Sequence, residues 1–108
     1  MSNTKVVLAA QAQRDLRGVL RHTRKEWGET QWAKTAARFE RAFQHLSAFP
    51  NSGVSRHFRG IEIQALFRSP FVILYRVDFE EVRVLRIGAQ RRLRIVDDSH
   101  EEWQSEDD

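Results

Sequence analysis

Apolar residues in the first half of the chain recur at helical spacing, in two blocks that a glycine separates. Side chains of the first block recur at i, i+3, i+4, i+7 and i+11, all on one helical face: Leu16, Val19, Leu20, Thr23 and Trp27. Gly28 follows directly, and glycine is well suited to end a helix. The spacing therefore predicts an amphipathic helix that begins near Ala10 and ends at Gly28.

A second helix is predicted directly after this glycine, with Thr30 as its N-cap. Its apolar stripe recurs at i, i+4, i+7, i+11 and i+14: Trp32, Ala36, Phe39, Phe43 and Leu46. Pro50 stops this helix, and the Asn-Ser-Gly sequence at 51–53 indicates a turn. Because the link between the helices is so short, we expect an antiparallel hairpin whose two stripes bury against a common surface.

The remaining apolar runs are typical of strands joined by short polar links. A run at 6–9 predicts one strand ahead of the helices, and an alternating pattern at 61–67 predicts a half-buried strand after them. Residues 71–77 are almost continuously apolar, as in a central strand, and residues 82–87 form the last predicted strand. The order is β-α-α-β-β-β. We therefore predict an α+β fold in which the helical hairpin packs on a small, twisted, largely antiparallel sheet.

The net charge of +3 conceals an uneven distribution of charge along the chain. Seven of the 15 acids lie in residues 97–108, which hold no Lys or Arg, so residues 1–96 carry eight acids against all 18 basic residues, a net charge of +10. We divide the chain into a folded domain, residues 1–96, and an acidic C-terminal tail, residues 97–108. A domain this basic favours a polyanion or an acidic protein as its partner, and the alternative is an arginine-rich surface that serves only solubility.

The composition argues against several classes of site. The chain has no cysteine, no His/Asp/Glu spacing typical of a metal site and no glycine-rich phosphate loop, so we expect neither a metal nor a cofactor. No apolar run approaches the roughly 18 residues of a membrane span, and the N-terminal residues have no signal-peptide pattern. We expect a cytoplasmic protein with no membrane partner.

Two single residues are weak candidates for chemistry. Tyr75 lies in the most apolar run, so we expect a core aromatic with a satisfied hydroxyl rather than part of a functional surface. His57 stands in Arg56-His57-Phe58-Arg59, which we interpret as a loop, and a single histidine in a loop is only a weak signal for a general base.

An ordered series of motifs across residues 5–95 resembles a known family. Ala12-Gln-Arg-Asp15-Leu16 opens the first helix, Trp27-Gly28 closes it, and Phe43-x-x-Leu46-x-x-Phe49-Pro50 ends the second. The strand motifs Val72-Ile-Leu-Tyr75-Arg76-Val77 and Val84-Leu-Arg86-Ile87 follow. This series resembles the RelE/ParE toxins of bacterial type II toxin–antitoxin pairs. The resemblance implies a bacterial or archaeal cytosolic toxin that a cognate antitoxin binds and silences as a hetero-oligomer.

The family has two branches with different targets. RelE-like members cut messenger RNA on the ribosome, and ParE-like members poison DNA gyrase. By position, the functional residues of the nucleases fall at Ile63, Ala65 and Val72, and near Gln90 and Val96. None of these side chains can hold a scissile phosphate or relay a proton as cleavage requires. We therefore assign no catalytic residue and expect a protein that is not an enzyme.

The ParE-like branch needs a binding surface instead of catalytic groups. Arg92 fits the arginine of the motif that follows the last strand of that branch, whereas Ala89 stands where many members carry histidine. We predict that target binding rests on a basic face: Arg91, Arg92, Arg94, Arg76, Arg86, Arg56 and Arg59. The leading hypothesis is gyrase inhibition by binding. The alternatives are a ribosome-dependent messenger RNA endonuclease and a non-toxic binding module on the same fold.

Overall fold

A computed structural model describes residues 3–93 and 95–97. It contains one long helical segment and six strands, in this order: β1 (Lys5–Leu8), α1 (Ala10–Ala48), β2 (Val54–Phe58), β3 (Ile61–Arg68), β4 (Phe71–Asp78), β5 (Glu81–Ala89) and β6 (Ile95–Asp97). The predicted α+β fold is confirmed. The prediction lacks two of these strands, β2 and β6.

Helix α1 is interrupted at Gly28, whose backbone (φ 90°, ψ 179°) is not helical. An unbroken helix of 39 residues would be about 58 Å long at about 1.5 Å per residue. The longest dimension of the molecule is only 42 Å, and both ends of α1 lie beside β1, where the Thr4 amide donates to the carbonyl of Ser47. The two halves, residues 10–27 and 29–48, therefore fold back on each other as the predicted hairpin.

The break in α1 differs from the prediction in two details. The second half resumes directly after Gly28, so Thr30 is a helical residue rather than the N-cap. The apolar spacing places Trp27 in the stripe of the first half, but its side chain is 72% exposed. At the end of a hairpin a side chain has no sheet beneath it. The other tryptophan near the break, Trp32, has the guanidinium carbon of Arg24 4.3 Å from the centroid of its ring.

The strands form one sheet in the order β1-β5-β4-β3-β2-β6. β1 runs parallel to β5, while the other neighbouring strands pair antiparallel. The segment around His57, which the sequence suggests is a loop, is strand β2, where His57 pairs with Glu62 of β3. The pattern at Arg56-His57-Phe58 is too polar to be identified as a strand. β6 is the edge strand next to β2, and its Asp97 stands opposite Arg56. The rest of the predicted tail lies outside the described residues.

One face of the sheet is covered by both halves of α1. Ala12 from the first half and three residues of the second, Phe39, Ala42 and Leu46, pack there. They meet a set of buried strand side chains: Leu66, Ile73, Tyr75, Val82, Val84 and Ile87. Each Å² of apolar surface that this layer removes from water stabilises the fold by about 25 cal/mol. None of the described helical residues is part of a segment long and apolar enough to cross a membrane.

Candidate target-binding face

The face of the sheet opposite α1, hereafter the open face, has an apolar floor of four buried side chains. Ile63, Ala65, Val72 and Leu74 form this floor, and no residue of α1 belongs to the cluster. Four partly buried side chains pack around it: Phe58, Phe67, Leu85 and Leu93. Three floor residues, Ile63, Ala65 and Val72, are those at which the resemblance noted above places functional residues of RelE-like nucleases. The open face therefore presents apolar packing where cleavage chemistry would need cations.

A β-bulge decides which way Arg86 points. Tyr75 pairs with Val84 and Leu74 pairs with Arg86, so Leu85 has no partner in β4. Strict alternation from Val82 and Val84 would direct Arg86 toward α1 and into the core. The extra residue shifts the alternation by one, so Arg86 shares the side of Leu74, and Ile87 packs beneath the helix.

Arginines from three strands surround the apolar floor. Arg76 on β4 stands directly opposite Arg83 on β5. Both are exposed, and like charges placed opposite each other in a sheet destabilise it by a few tenths of a kcal/mol. Arg83 is not among the predicted target-binding residues, although its alternation with Val82 and Val84 could have indicated its face. Its guanidinium pairs with Glu81 at 2.7 Å.

Two of the predicted target-binding arginines lie beside the ring of Phe58. Arg59 lies in the turn after β2, and its guanidinium carbon is 5.2 Å from the centroid of that ring. The guanidinium carbon of Arg86 lies 5.8 Å from the same centroid. On the adjoining part of the face, the guanidinium of Arg56 lies 5.8 Å from the ring of Phe67. The fold thus assembles arginines that are far apart in sequence, each beside an aromatic ring that favours a cation on its face.

Asp15 of α1 fixes Arg86 in place. Its carboxylate accepts hydrogen bonds from Nε of Arg86 at 2.8 Å and from the backbone amide of Ile87 at 3.0 Å. Burial by itself would raise the pKa of Asp15, but the hydrogen bonds from Arg86, Ile87 and Gln11 outweigh it and hold that pKa below the ordinary 3.8. Since β1 pairs with β5 only as far as Val84, Asp15 occupies the edge that β1 leaves uncovered.

The remaining predicted arginines follow β5. Arg91 and Arg92 are exposed in the turn after Ala89, and the amide of Arg92 donates to the Ala89 carbonyl at 2.9 Å. Leu93 anchors this turn by packing among the side chains of the open face. Arg94 lies outside the described residues. We define the open-face arginines as Arg56, Arg76, Arg83 and Arg86, and their location on one face is what the sequence could not establish.

Tyr75 belongs to the core, as predicted, and has no exposed surface. Its hydroxyl accepts a hydrogen bond from the amide of Gly53 at 2.8 Å and donates to Oε1 of Gln64 at 3.0 Å. Burial raises the pKa of this phenol, because the charged phenolate would lose its hydration. A Cβ at position 53 would lie 2.6 Å from the hydroxyl oxygen, so the close approach requires glycine. The Tyr75 hydroxyl therefore fixes the turn before β2, and we assign it no part in a reaction.

Comparison with known proteins identifies the family of this chain. Residues 6–94 match the family described as the ParE toxin of the type II toxin–antitoxin system parDE. The match covers most of the chain. The chain therefore belongs to the ParE toxin family.

Individual relatives agree with this assignment. The toxin ParE of Escherichia coli is 42% identical over 45 residues, which span 42% of this chain and 44% of that relative. The chain thus matches under half the length of that curated protein. A solved structure of the chromosomal ParDE system of P. aeruginosa superposes with a TM-score of 0.66 at 23% identity, covering 80% of this chain and 95% of that one. The RelBE2 toxin–antitoxin complex of Mycobacterium tuberculosis gives a TM-score of 0.59 at 26% identity, covering 83% and 94%.

Proposed function

We propose that this toxin acts by binding DNA gyrase through its open face and that a cognate antitoxin silences it in a cytoplasmic hetero-oligomer. The observation that carries the proposal is the combination on that face of clustered arginines and a buried apolar floor. Such a surface suits recognition of an acidic, partly apolar protein surface, because the partly exposed rings of Phe58 and Phe67 above the floor supply apolar contact and the arginines supply orientation and charge.

The same face supports binding better than cleavage. Ile63, Ala65 and Val72 are almost fully buried and cannot hold a scissile phosphate. Arg86 could contact a phosphate, but it is already bonded to Asp15. Arg76 and Arg83 are exposed cations, and the carboxylate beside Arg83, that of Glu81, is engaged in an ion pair with it. A surface of this kind can inhibit an enzyme by occupying it, which requires affinity and no proton transfer.

The antitoxin proposal rests on the similar solved structures and on the exposed arginines of the open face, Arg76 and Arg83. The two similar solved structures are of a ParDE system and a RelBE2 toxin–antitoxin complex, so toxins of this fold are found with antitoxins. In this chain an extended segment with apolar and acidic side chains would pack on the partly exposed side chains that surround the floor and pair with the exposed arginines, Arg76 and Arg83. A toxin held in this way would have its gyrase-binding face blocked.

The decisive experiment measures binding of the purified chain to DNA gyrase without DNA, by surface plasmon resonance, and inhibition of supercoiling in parallel. The test variant is Arg76→Gln/Arg83→Gln. The matched control is Lys34→Gln/Arg41→Gln, which removes the same charge from exposed positions of α1. We expect the test variant to lose at least tenfold in affinity while the control binds as the unmodified chain does.

Other outcomes would overturn the proposal. Cleavage of messenger RNA by the chain in a reconstituted translation system, with gyrase unaffected, would establish the endonuclease alternative. A well-folded chain that affects neither gyrase nor translation, and does not slow bacterial growth, would establish the non-toxic binding module. Equal loss in the test and control variants would show that net charge matters and the open face does not.

A further inference from the structure

The outer surface of α1 carries a second basic group, well away from the open face. Arg14, Arg17, Arg21 and Lys25 stand at i, i+3, i+7 and i+11 in the first half of the helix, and all four are exposed. At about 100° per residue they occupy an arc of about 80°. At about 1.5 Å per residue they extend over about 16 Å of helix. We call these four residues the helical basic stripe.

The helical basic stripe faces away from the sheet. Ala12 and Thr23, the buried residues of this half, lie on the opposite side of the helix. Asp15 and Glu26, its acids, are both more than about 100° from the centre of the stripe. In the described part of the chain no carboxylate forms an ion pair with a stripe residue, whereas neighbouring Arg24 pairs with Glu29 at 3.2 Å. The positive charge of the stripe is therefore concentrated along one line on the outer surface of α1.

This arrangement is unfavourable for the isolated helix. Arg17, Arg21 and Lys25 are consecutive i, i+4 neighbours, and like charges at that spacing destabilise a helix by a few tenths of a kcal/mol per pair. Replacing Arg21 with glutamate would turn both repulsions into attractions. The stripe is therefore poorly explained by helix stability, and a partner that is itself a line of negative charge would make it favourable.

The surface around the stripe has little apolar area for a protein partner. Stable protein interfaces bury a core of large apolar anchors. Among the described residues the exposed large hydrophobic side chains are Trp27, Phe49, Val54, Ile61 and Phe79. Only Trp27 belongs to this half of α1, and it stands at its end. A face with charge and without anchors fits the backbone of a nucleic acid, which is recognised mainly through its phosphates.

Among nucleic acids, duplex DNA fits the stripe best. Single strands are held by aromatic side chains interleaved with basic ones, and no aromatic residue stands within the stripe. The major groove of B-form DNA, about 12 Å wide, admits an α-helix between two rows of phosphates, whereas the deep, narrow groove of A-form RNA does not. We propose that the helical basic stripe binds the phosphate backbone of duplex DNA without sequence preference. This activity goes beyond gyrase binding and does not depend on it.

The test uses the purified full chain and a fluorescent DNA duplex of about 20 base pairs with no gyrase present, and it follows anisotropy. With four phosphate contacts, affinity should fall about 100-fold between about 50 and about 200 mM salt. Arg17→Gln/Arg21→Gln should weaken binding at least tenfold at low salt and make the slope of log K against log salt less steep by about 1.8. Arg76→Gln/Arg83→Gln, which removes equal charge from the open face, should change neither.

Three results would overturn the proposal. Equal losses in both double variants would indicate attraction to the whole basic domain rather than to the stripe. Equal affinity for a single strand or an RNA duplex of the same sequence would contradict selection of duplex DNA. Displacement of DNA by polyglutamate at equal charge concentration would indicate an acidic protein as the partner. Circular dichroism melting of each variant checks that the fold is retained, and gyrase binding without DNA reports separately on the open face.

Discussion

The two faces of the sheet are built from the same strands, yet within residues 3–93 and 95–97 only one of them is covered by a helix. On the helix-covered face, strand side chains such as Tyr75 and Val84 are sealed by the two halves of α1. On the open face, Val72 and Leu74 are just as buried, but arginines and aromatic rings cover them in place of a helix. The central strands are therefore buried on both sides, and only the open face combines burial with accessible charge.

Because of this difference, we expect the helix-covered face to determine stability and the open face to serve recognition. A substitution on the helix-covered face changes packing and therefore the free energy of unfolding. Arg76 and Arg83 on the open face stand opposite each other as like charges and add little to folding, so their cost is understandable only if something binds there. Substitutions on each face test this separation, from the largest expected effect on stability to the smallest.

Removing Phe39 should be the most damaging change. Its ring is 5% exposed and lies between the helix and the sheet, with its centroid 5.2 Å from that of Phe71. Phe39→Ala should lower the free energy of unfolding by about 3–5 kcal/mol through the cavity it leaves, as measured by urea denaturation. Phe49→Ala is the matched control, because that ring is 60% exposed, and it should cost far less. Similar losses in both would contradict the assigned core.

Adding one methyl group at Gly53 should cost about 1–3 kcal/mol, because its Cβ would meet the hydroxyl oxygen of Tyr75 at 2.6 Å. Gly18 provides the control within the chain. It lies inside α1, and a Cβ added there would have nothing within 4 Å, so Gly18→Ala should stabilise by about 0.5–1 kcal/mol. Thermal melts of the two variants should shift in opposite directions, and a shift in the same direction would refute the tight approach at Gly53.

Replacing Asp15 should weaken the anchor of Arg86 and change the response to acid. The pKa of Asp15 in the folded chain lies below its ordinary 3.8, so its contribution to stability is complete above about pH 3.8 and is lost as the pH falls through the folded-state value. Asp15→Asn should lose about 1–2 kcal/mol at pH 7 and much less at pH 2. Urea midpoints across this range test the expectation, with Glu81→Gln, in an exposed pair, as the control.

The smallest change in stability is expected from the open-face arginines. Arg76 and Arg83 stand opposite each other, so Arg76→Gln should leave the free energy of unfolding unchanged or raise it by up to about 0.5 kcal/mol. The same variant should reduce gyrase binding. A loss of more than about 1 kcal/mol would mean that Arg76 supports the fold, and the separation between the two faces would then be wrong.

The sequence is sufficient for the helical hairpin and four of the six strands, but not for β2, β6 or the composition of the open face. Strong periodicity identifies both helical stripes and the apolar strands at 61–67 and 71–77, because buried faces impose a regular pattern. β2 escapes prediction because its side chains include Arg56 and His57, which are too polar for the pattern of a buried strand. β6 escapes it because it has only three residues. The location of Arg86 depends on a bulge at Leu85, and a bulge has no reliable signature in a single sequence.

Asp15 has one more consequence, for the behaviour of the molecule at high concentration. Beyond Val84 strand β5 has no neighbour among the described strands on the side of β1, and a bare strand edge is a template on which a second chain can add its own strand. The Asp15 carboxylate takes up the amide of Ile87 there and places over this edge a charged group that is paired with Arg86 and only 10% exposed. A strand approaching from another molecule would have to displace it and bury that charge. The residue that holds an arginine in place is therefore also a guard against edge-to-edge polymerisation and the fibrils that can follow from it.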